Sequence, residues 1–149
     1  MTIRQVVLCH PVRTAIGTYG GSLKDMPAPE LGAAAIRETL KRSGLAADKI
    51  EALVMGNVIQ AGVKMNPARQ AGIAAGLPVE VPALTVNRVC GSGAQGVASA
   101  ALEVWAGMID CAIAGGMENM DRAPYLLPQG RWGARMGDIT MFDSMLYDG

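Results

Sequence analysis

The sequence predicts an α/β fold built on a mostly parallel mixed sheet with helices on both faces. Two observations carry this expectation. Short apolar runs alternate along the chain with longer segments of helical period, and proline or glycine marks most of the handovers. The composition agrees: one Phe, three Tyr and two Trp stand beside many Ala, Gly, Val and Met, which suits close packing of helix on sheet.

Taken in order, Ile3 to Cys9 reads as a short β-branched strand, buried and ended by His10-Pro11. A loop with Gly17, Gly20 and Gly21 follows. From Pro29 to Ser43 the apolar positions Leu31, Ala35, Ile36 and Leu40 keep a helical period, with proline in the first turn and Gly44 as the stop. Ala52 to Met55 is a second strand closed by Gly56-Asn57, and Asn66-Pro67 starts a helix that runs to Gly76. Pro78 and Pro82 break that helix before a third strand at Ala83 to Val86. A helix over Cys90 to Ala106 closes at Gly107, and Ile109 to Ala114 forms a fourth strand ending in Gly115-Gly116. After Glu118 the pattern changes. Pro124, Pro128, Gly130, Gly133 and Gly137 interrupt a stretch carrying Tyr125, Trp132, Met136 and Met141, which reads as an excursion from the sheet domain and the start of an interaction loop.

A chain of 149 residues, half of them hydrophobic, is enough for one substantial core. Lys plus Arg and Asp plus Glu balance at 13 each, so the overall charge offers no field for nucleic acid or an anionic membrane, and a small-molecule partner is favoured. Cys9, Cys90 and Cys111 are odd in number and far apart, with a single histidine in the chain, which argues against a disulfide framework or a zinc site. No apolar stretch approaches a membrane-spanning length and no leader pattern opens the chain, so the expected location is the cytoplasm.

The informative stretch is Asn87-Arg88-Val89-Cys90-Gly91-Ser92-Gly93-Ala94-Gln95-Gly96, at the handover from the third strand to a helix. Ligands of open α/β sheets bind at the carboxyl ends of strands. A cysteine in the first turn of a helix meets unpaired N–H groups and the positive end of the dipole, which favour thiolate. Glycines beside it would let a bulky thioester approach and would leave N–H groups for an oxyanion. Against this, free cysteines are usually small buried hydrophobes. For Cys90 the two readings stay open at this point, whereas Cys9 and Cys111, placed in strands, read as core. His10 also follows a strand end, but a loop histidine without an ordering partner is more often structural than a base for Cys90. Gly91, Gly93 and Gly96 also form a G-x-G-x-x-G, with Glu118 at about the spacing of a ribose-binding acid, so a dinucleotide-binding module is one alternative, and a non-catalytic assembly fragment is the other. The hexad alone is weak, because two strand-helix units precede it and Asn87 and Arg88 separate it from its strand.

Asn87-Arg88-Val89-Cys90-Gly91-Ser92-Gly93 closely resembles the nucleophile motif of the thiolase family, and the resemblance runs over the whole chain. Arg13-Thr14-Ala15-Ile16-Gly17 is similar to the family's first loop, Gly56-Asn57-Val58 to the end of its second strand and Asn66-Pro67-Ala68-Arg69 to the next helix. Gly115-Gly116-Met117-Glu118-Asn119-Met120 is similar to the exit from its first core domain. The stretch from Ala123 to Asp138 looks like the start of its loop domain, which in tetrameric members helps join two dimers.

The resemblance implies a thiolase-like layered fold with residues 1–118 as the first of two core halves and 119–149 as the beginning of the loop domain. It implies an acyltransferase in which Cys90 takes an acyl group from acyl-CoA, its own backbone N–H contributing to an oxyanion hole, and then gives the group to a thiol or carbanion. Acetoacetyl-CoA thiolysis and acetyl-CoA condensation both fit. Coenzyme A thioesters would be substrates, with no tightly bound cofactor and no metal. Implied partners are acyl-CoA and CoA, a homodimer or homotetramer in a full-length form, or a complementary C-terminal chain, but not nucleic acid or membrane. The departure is that family members are more than twice this long. Their C-terminal half supplies a histidine in a Gly-His-Pro motif, an asparagine and a second cysteine, and only Cys9-His10-Pro11 faintly echoes these here. The expectation is therefore a fragment, a cleavage product or one piece of a split enzyme, silent by itself in acetoacetyl-CoA thiolysis, with its partner surface exposed.

Overall fold

A computed structural model of the chain describes residues 4–148. Helix α1 (Ala28–Ser43) begins with Pro29 in its first turn and ends where Gly44 turns left-handed at φ 70°, its N–H closing on the Leu40 carbonyl. Strand β1 (Ala52–Gly56) follows, then α2 (Pro67–Ala75), β2 (Ala83–Val86), α3 (Ser92–Trp105) and β3 (Ala112–Gly116).

The three strands form one parallel sheet in the order β2-β1-β3. Leu53 pairs with Ala83 on one side and Ile113 on the other. From β1 to β2 the chain moves to one side, and from β2 to β3 it crosses back past β1. Crossovers of constant hand in opposite directions place their helices on opposite faces. On one face Leu53, Met55 and Ile113 pack with Ala68, Ala71, Leu77 and Ile36, so that α2 lies on the sheet and α1 on α2. On the other face α3 lies against β1 and β3, where Gly96 backs onto the carbonyls of Val54 and Gly115. Central β1 is covered on both faces and is buried throughout.

After Glu118 the regular elements are short. A two-residue antiparallel ladder joins β4 (Tyr125–Leu126) to β5 (Phe142–Asp143), and the short helix α4 (Ser144–Tyr147) follows, with the Asp143 carboxylate accepting from the Met145 N–H.

Three expectations need correction. The strand over Ile3 to Cys9 is absent across residues 4–9, and Ile3 lies outside the described residues. Val7 and Leu8 are 74% and 77% exposed. The Arg4 guanidinium ties the segment down by pairing with the Asp110 carboxylate and donating to the Ile109 carbonyl at 3.3 Å, but none of the described strands takes it as a ladder partner. A β-branched run favours extended backbone, yet a strand exists only where a neighbour pairs with it. Cys9 is accordingly exposed rather than part of the core. The fourth strand begins at Ala112 and runs through both glycines, because the N–H groups of Asp110 and Cys111 are held by the Glu51 carboxylate before the ladder starts. Cys111 is only partly buried, packed at the edge of the core cluster.

Candidate active site

All three parallel strands deliver their carboxyl ends to one place. After β1 comes Asn57, after β2 Asn87, and after β3 Met117 and Glu118. The Asn57 N–H donates to the Val86 carbonyl at 3.1 Å and the Met117 N–H to the Gly56 carbonyl at 2.9 Å, so the sheet pairing carries on just past the strands.

Cys90 stands at this end, exposed, in the turn between β2 and α3. It is not inside the first turn of the helix as the sequence suggested. Gly91 is the cap residue and Ser92 the first helical one, which leaves Cys90 one position ahead of the cap. The reason is Ser92: its hydroxyl accepts from the Arg88 N–H at 2.9 Å and donates to the Val89 carbonyl at 2.6 Å, folding 88–92 into a tight turn. Two backbone bonds complete it, Gly91 N–H to Arg88 carbonyl at 3.1 Å and Ser92 N–H to Val89 carbonyl at 3.0 Å. These two N–H groups are thereby engaged, and the N–H of Cys90 takes no part in these turn bonds.

Val89 holds a left-handed backbone, φ 48°, which for a β-branched residue costs about 1–3 kcal/mol. It is kept there by the Asn87 side chain, whose Oδ1 accepts from the Val89 N–H at 2.9 Å. On the outer side of the turn the Arg88 guanidinium donates to Gln95 Oε1 at 2.7 Å, which lays Arg88 along the first turns of α3.

The glycines do something other than clear space for a substrate. A Cβ on Gly96 would stand 2.8 Å from the Gly115 carbonyl oxygen, and one on Gly93 would meet the Gly116 backbone at 3.7 Å. Both lie between helix and sheet, so they set how closely α3 approaches. Glu118 is likewise occupied: its carboxylate accepts from Asn57 Nδ2 at 2.9 Å and from the backbone N–H groups of Val58 and Ile59 at 2.8 and 3.4 Å. A dinucleotide reading would need the Glu118 carboxylate free to meet a ribose, whereas here it is taken up by Asn57, Val58 and Ile59. His10 sits in the exposed N-terminal segment with φ 50°, and among the described residues no hydrogen bond joins it to Cys90.

An open apolar cleft of about 540 Å³ lies on the other side of Glu118, lined by Val12, Ile16, Tyr19, Leu31, Met117 and Met145 among others, and Cys90 is not part of it. The thiol is therefore approachable from solvent rather than enclosed. The sequence reading missed Asn57 and Asn87 as site residues. Their one local signal was position, each being the first polar residue after an apolar strand.

The family described as "Thiolase, N-terminal domain" matches this chain over residues 6–149. An acetyl-CoA acetyltransferase of Cupriavidus necator is 50% identical over 144 residues, which is 97% of this chain and 37% of that protein. An acetyl-CoA acetyltransferase of Pseudomonas aeruginosa is 48% identical over 147 residues, again 37% of its length. The beta-ketothiolase BktB of Cupriavidus necator is 52% identical over 144 residues, or 36% of its length. The chain thus spans little more than a third of the curated relatives it matches.

Proposed function

Because this chain belongs to the thiolase family through its N-terminal domain, we propose that it is the nucleophile-bearing part of an acyltransferase working on coenzyme A thioesters. Cys90 is the acyl carrier. Its sulfur attacks the thioester carbonyl, a new carbon–sulfur bond forms, the bond to the CoA sulfur breaks, and CoA leaves as a thiol with the proton given up by Cys90. A second thiol then takes the acyl group and gives its proton to the cysteine sulfur, or a carbanion takes it and releases the cysteine thiolate, which regains the proton removed from the carbanion's precursor. Either thiolysis of acetoacetyl-CoA or condensation of acetyl units follows from the same intermediate.

The single observation that supports this most is the setting of Cys90: an exposed thiol at the carboxyl end of a parallel strand, held in a turn that leaves its own N–H outside the turn's bonds. That N–H is the one that the family resemblance assigns to the oxyanion. The family resemblance implies that the base that deprotonates Cys90 and the group that moves the α-proton are supplied by a complementary segment. Residues 1–118 act as the first core half and 119–149 as the start of the loop domain, which carries the β4–β5 ladder. A homodimer or homotetramer is the expected assembly once both halves are present.

The reading is tested by supplying acetyl-CoA to the chain together with a thiolase C-terminal half and mapping the modified peptide by mass spectrometry. One acetyl group on Cys90, absent from Cys90→Ala, is expected. Acetylation confined to Cys9 or Cys111, or none in the paired form, overturns the assignment.

A further inference from the structure

The Cys90 turn is held by hydrogen bonds that begin on Glu118, two residues past the end of β3. Glu118 Oε1 accepts from Asn57 Nδ2 at 2.9 Å, and Oε2 accepts from the N–H groups of Val58 at 2.8 Å and Ile59 at 3.4 Å. The carbonyl of the same Val58 accepts from Asn87 Nδ2 at 3.2 Å. Asn87 Oδ1 in turn accepts from the N–H of Val89, the left-handed residue next to Cys90. Val58 is therefore gripped at both its polar groups, by Glu118 on one side and Asn87 on the other.

The residue types suit the arrangement. Three donors converge on Glu118, and an ionised carboxylate is all acceptor, so each finds an oxygen. A glutamine would offer one oxygen and turn an NH2 group against two N–H donors. Asn57 is 1% exposed and also gives its Nδ2 to the Met117 carbonyl at 3.2 Å, while its Oδ1 has no partner among the described residues. Flipping the amide would set that oxygen against the carboxylate, so Glu118 dictates which way Asn57 faces.

We propose that Glu118 and Asn87 are positioning residues for Cys90: the carboxylate fixes residues 57–59, these fix the Asn87 carboxamide, and Asn87 locks Val89 in the left-handed form that sets the direction of the Cys90 sulfur. The purpose of the device rests on Cys90 being the acyl carrier; its geometry does not.

The test uses the 149-residue chain with Glu118→Gln, Asn87→Ala and Asn87→Asp, read by residue-resolved amide exchange and by iodoacetamide labelling of Cys90 against Cys9 in the same molecules. Glu118→Gln is expected to speed exchange at Val58, Ile59 and Val89 by about ten-fold or more while Leu53 and Arg69 stay within about two-fold of the parent. The Cys90-to-Cys9 labelling ratio is expected to shift by about three-fold or more. Asn87→Ala should release Val89 alone, and Asn87→Asp, which keeps the acceptor for Val89 but loses the donor to the Val58 carbonyl, should restore its protection only in part. Release confined to Val58 and Ile59, with Val89 and the labelling ratio unchanged, overturns the proposal, and so does a uniform rise at all amides. If Glu118→Gln does not fold, parent-like behaviour of Val89 and Cys90 in Asn87→Ala is sufficient to overturn it. Should Cys90 follow this order yet never accept acetyl from acetyl-CoA, the acyl-carrier reading fails and the positioning role stands.

Discussion

A Cβ placed on Gly116 would lie 2.9 Å from the Cα of Gly93, so at this point β3 and α3 meet backbone to backbone. The same contact continues one turn along the helix, where Gly96 faces the carbonyls of Val54 and Gly115. None of these atoms can move without shifting a strand or α3, since all are main chain. Gly116→Ala and Gly96→Ala should each lower stability by about 1–3 kcal/mol, the range found for overpacked cores. Urea unfolding checks this, and a midpoint unchanged in both variants would show that the helix rides higher than the structure has it.

Val89 leads to the opposite sign. Its left-handed backbone disfavours a β-branched side chain, and the residue is 59% exposed, so little packing is lost on replacement. Val89→Asn should raise stability by about 1 kcal/mol, because asparagine tolerates that conformation. A destabilised Val89→Asn protein would mean that the valine side chain makes contacts worth more than the strain.

Asn66 caps α2 from a left-handed conformation of its own, φ 46°, accepting from the Arg69 N–H at 3.1 Å and from the Thr85 hydroxyl at 2.8 Å, and donating to the Ala83 carbonyl at 2.9 Å. Asn66→Ala removes the cap and adds backbone strain, for a loss of about 2 kcal/mol. Asn66→Gly keeps the backbone at ease and should cost clearly less. Thermal melting of the two variants side by side gives the order, and equal losses would remove the conformational part of the argument.

Cys111 supplies a pH dependence. Burial pushes its thiol above the ordinary value, with the Glu51 carboxylate and then Cys9 adding to the effect. The folded chain therefore holds this proton more tightly than the unfolded one. The resulting stability is fully present below the unfolded thiol value of about 8.5 and is lost as pH rises through the higher folded value. Unfolding free energies between neutral and alkaline pH should fall more steeply for the parent than for Cys111→Ala. In iodoacetamide labelling at neutral pH, Cys111 should also lag behind the exposed Cys9, and equal rates would contradict the assignment.

Much of the fold was legible where punctuation and period coincide. Asn66 with Gly76 brackets α2 and Gly44 stops α1, because a cap and a left-handed glycine are local events written in local residues. The N-terminal run failed for the converse reason, since nothing in Ile3 to Cys9 encodes whether a neighbouring strand will be there to pair with it. The place of Cys90 at a strand end can be read in one short window, whereas its offset from the helix depends on Ser92 and cannot. The sequence shows Glu118 as a spaced acid and as one residue of the Gly115–Met120 motif, without its partners. Its actual partners, the N–H groups of Val58 and Ile59, lie some 60 positions away and carry no side-chain signature at all.

The meeting of three strand ends in one set of hydrogen bonds also constrains how such a sequence can drift. Asn57, Asn87 and Glu118 each follow a different strand, and they meet around Val58, whose N–H is held by Glu118 and whose carbonyl is held by Asn87. A lineage that replaces Glu118 leaves the N–H groups of Val58 and Ile59 without their acceptor, and one that replaces Asn87 leaves the Val58 carbonyl and the Val89 N–H without their partners, so these positions are expected to change rarely and only with compensation nearby.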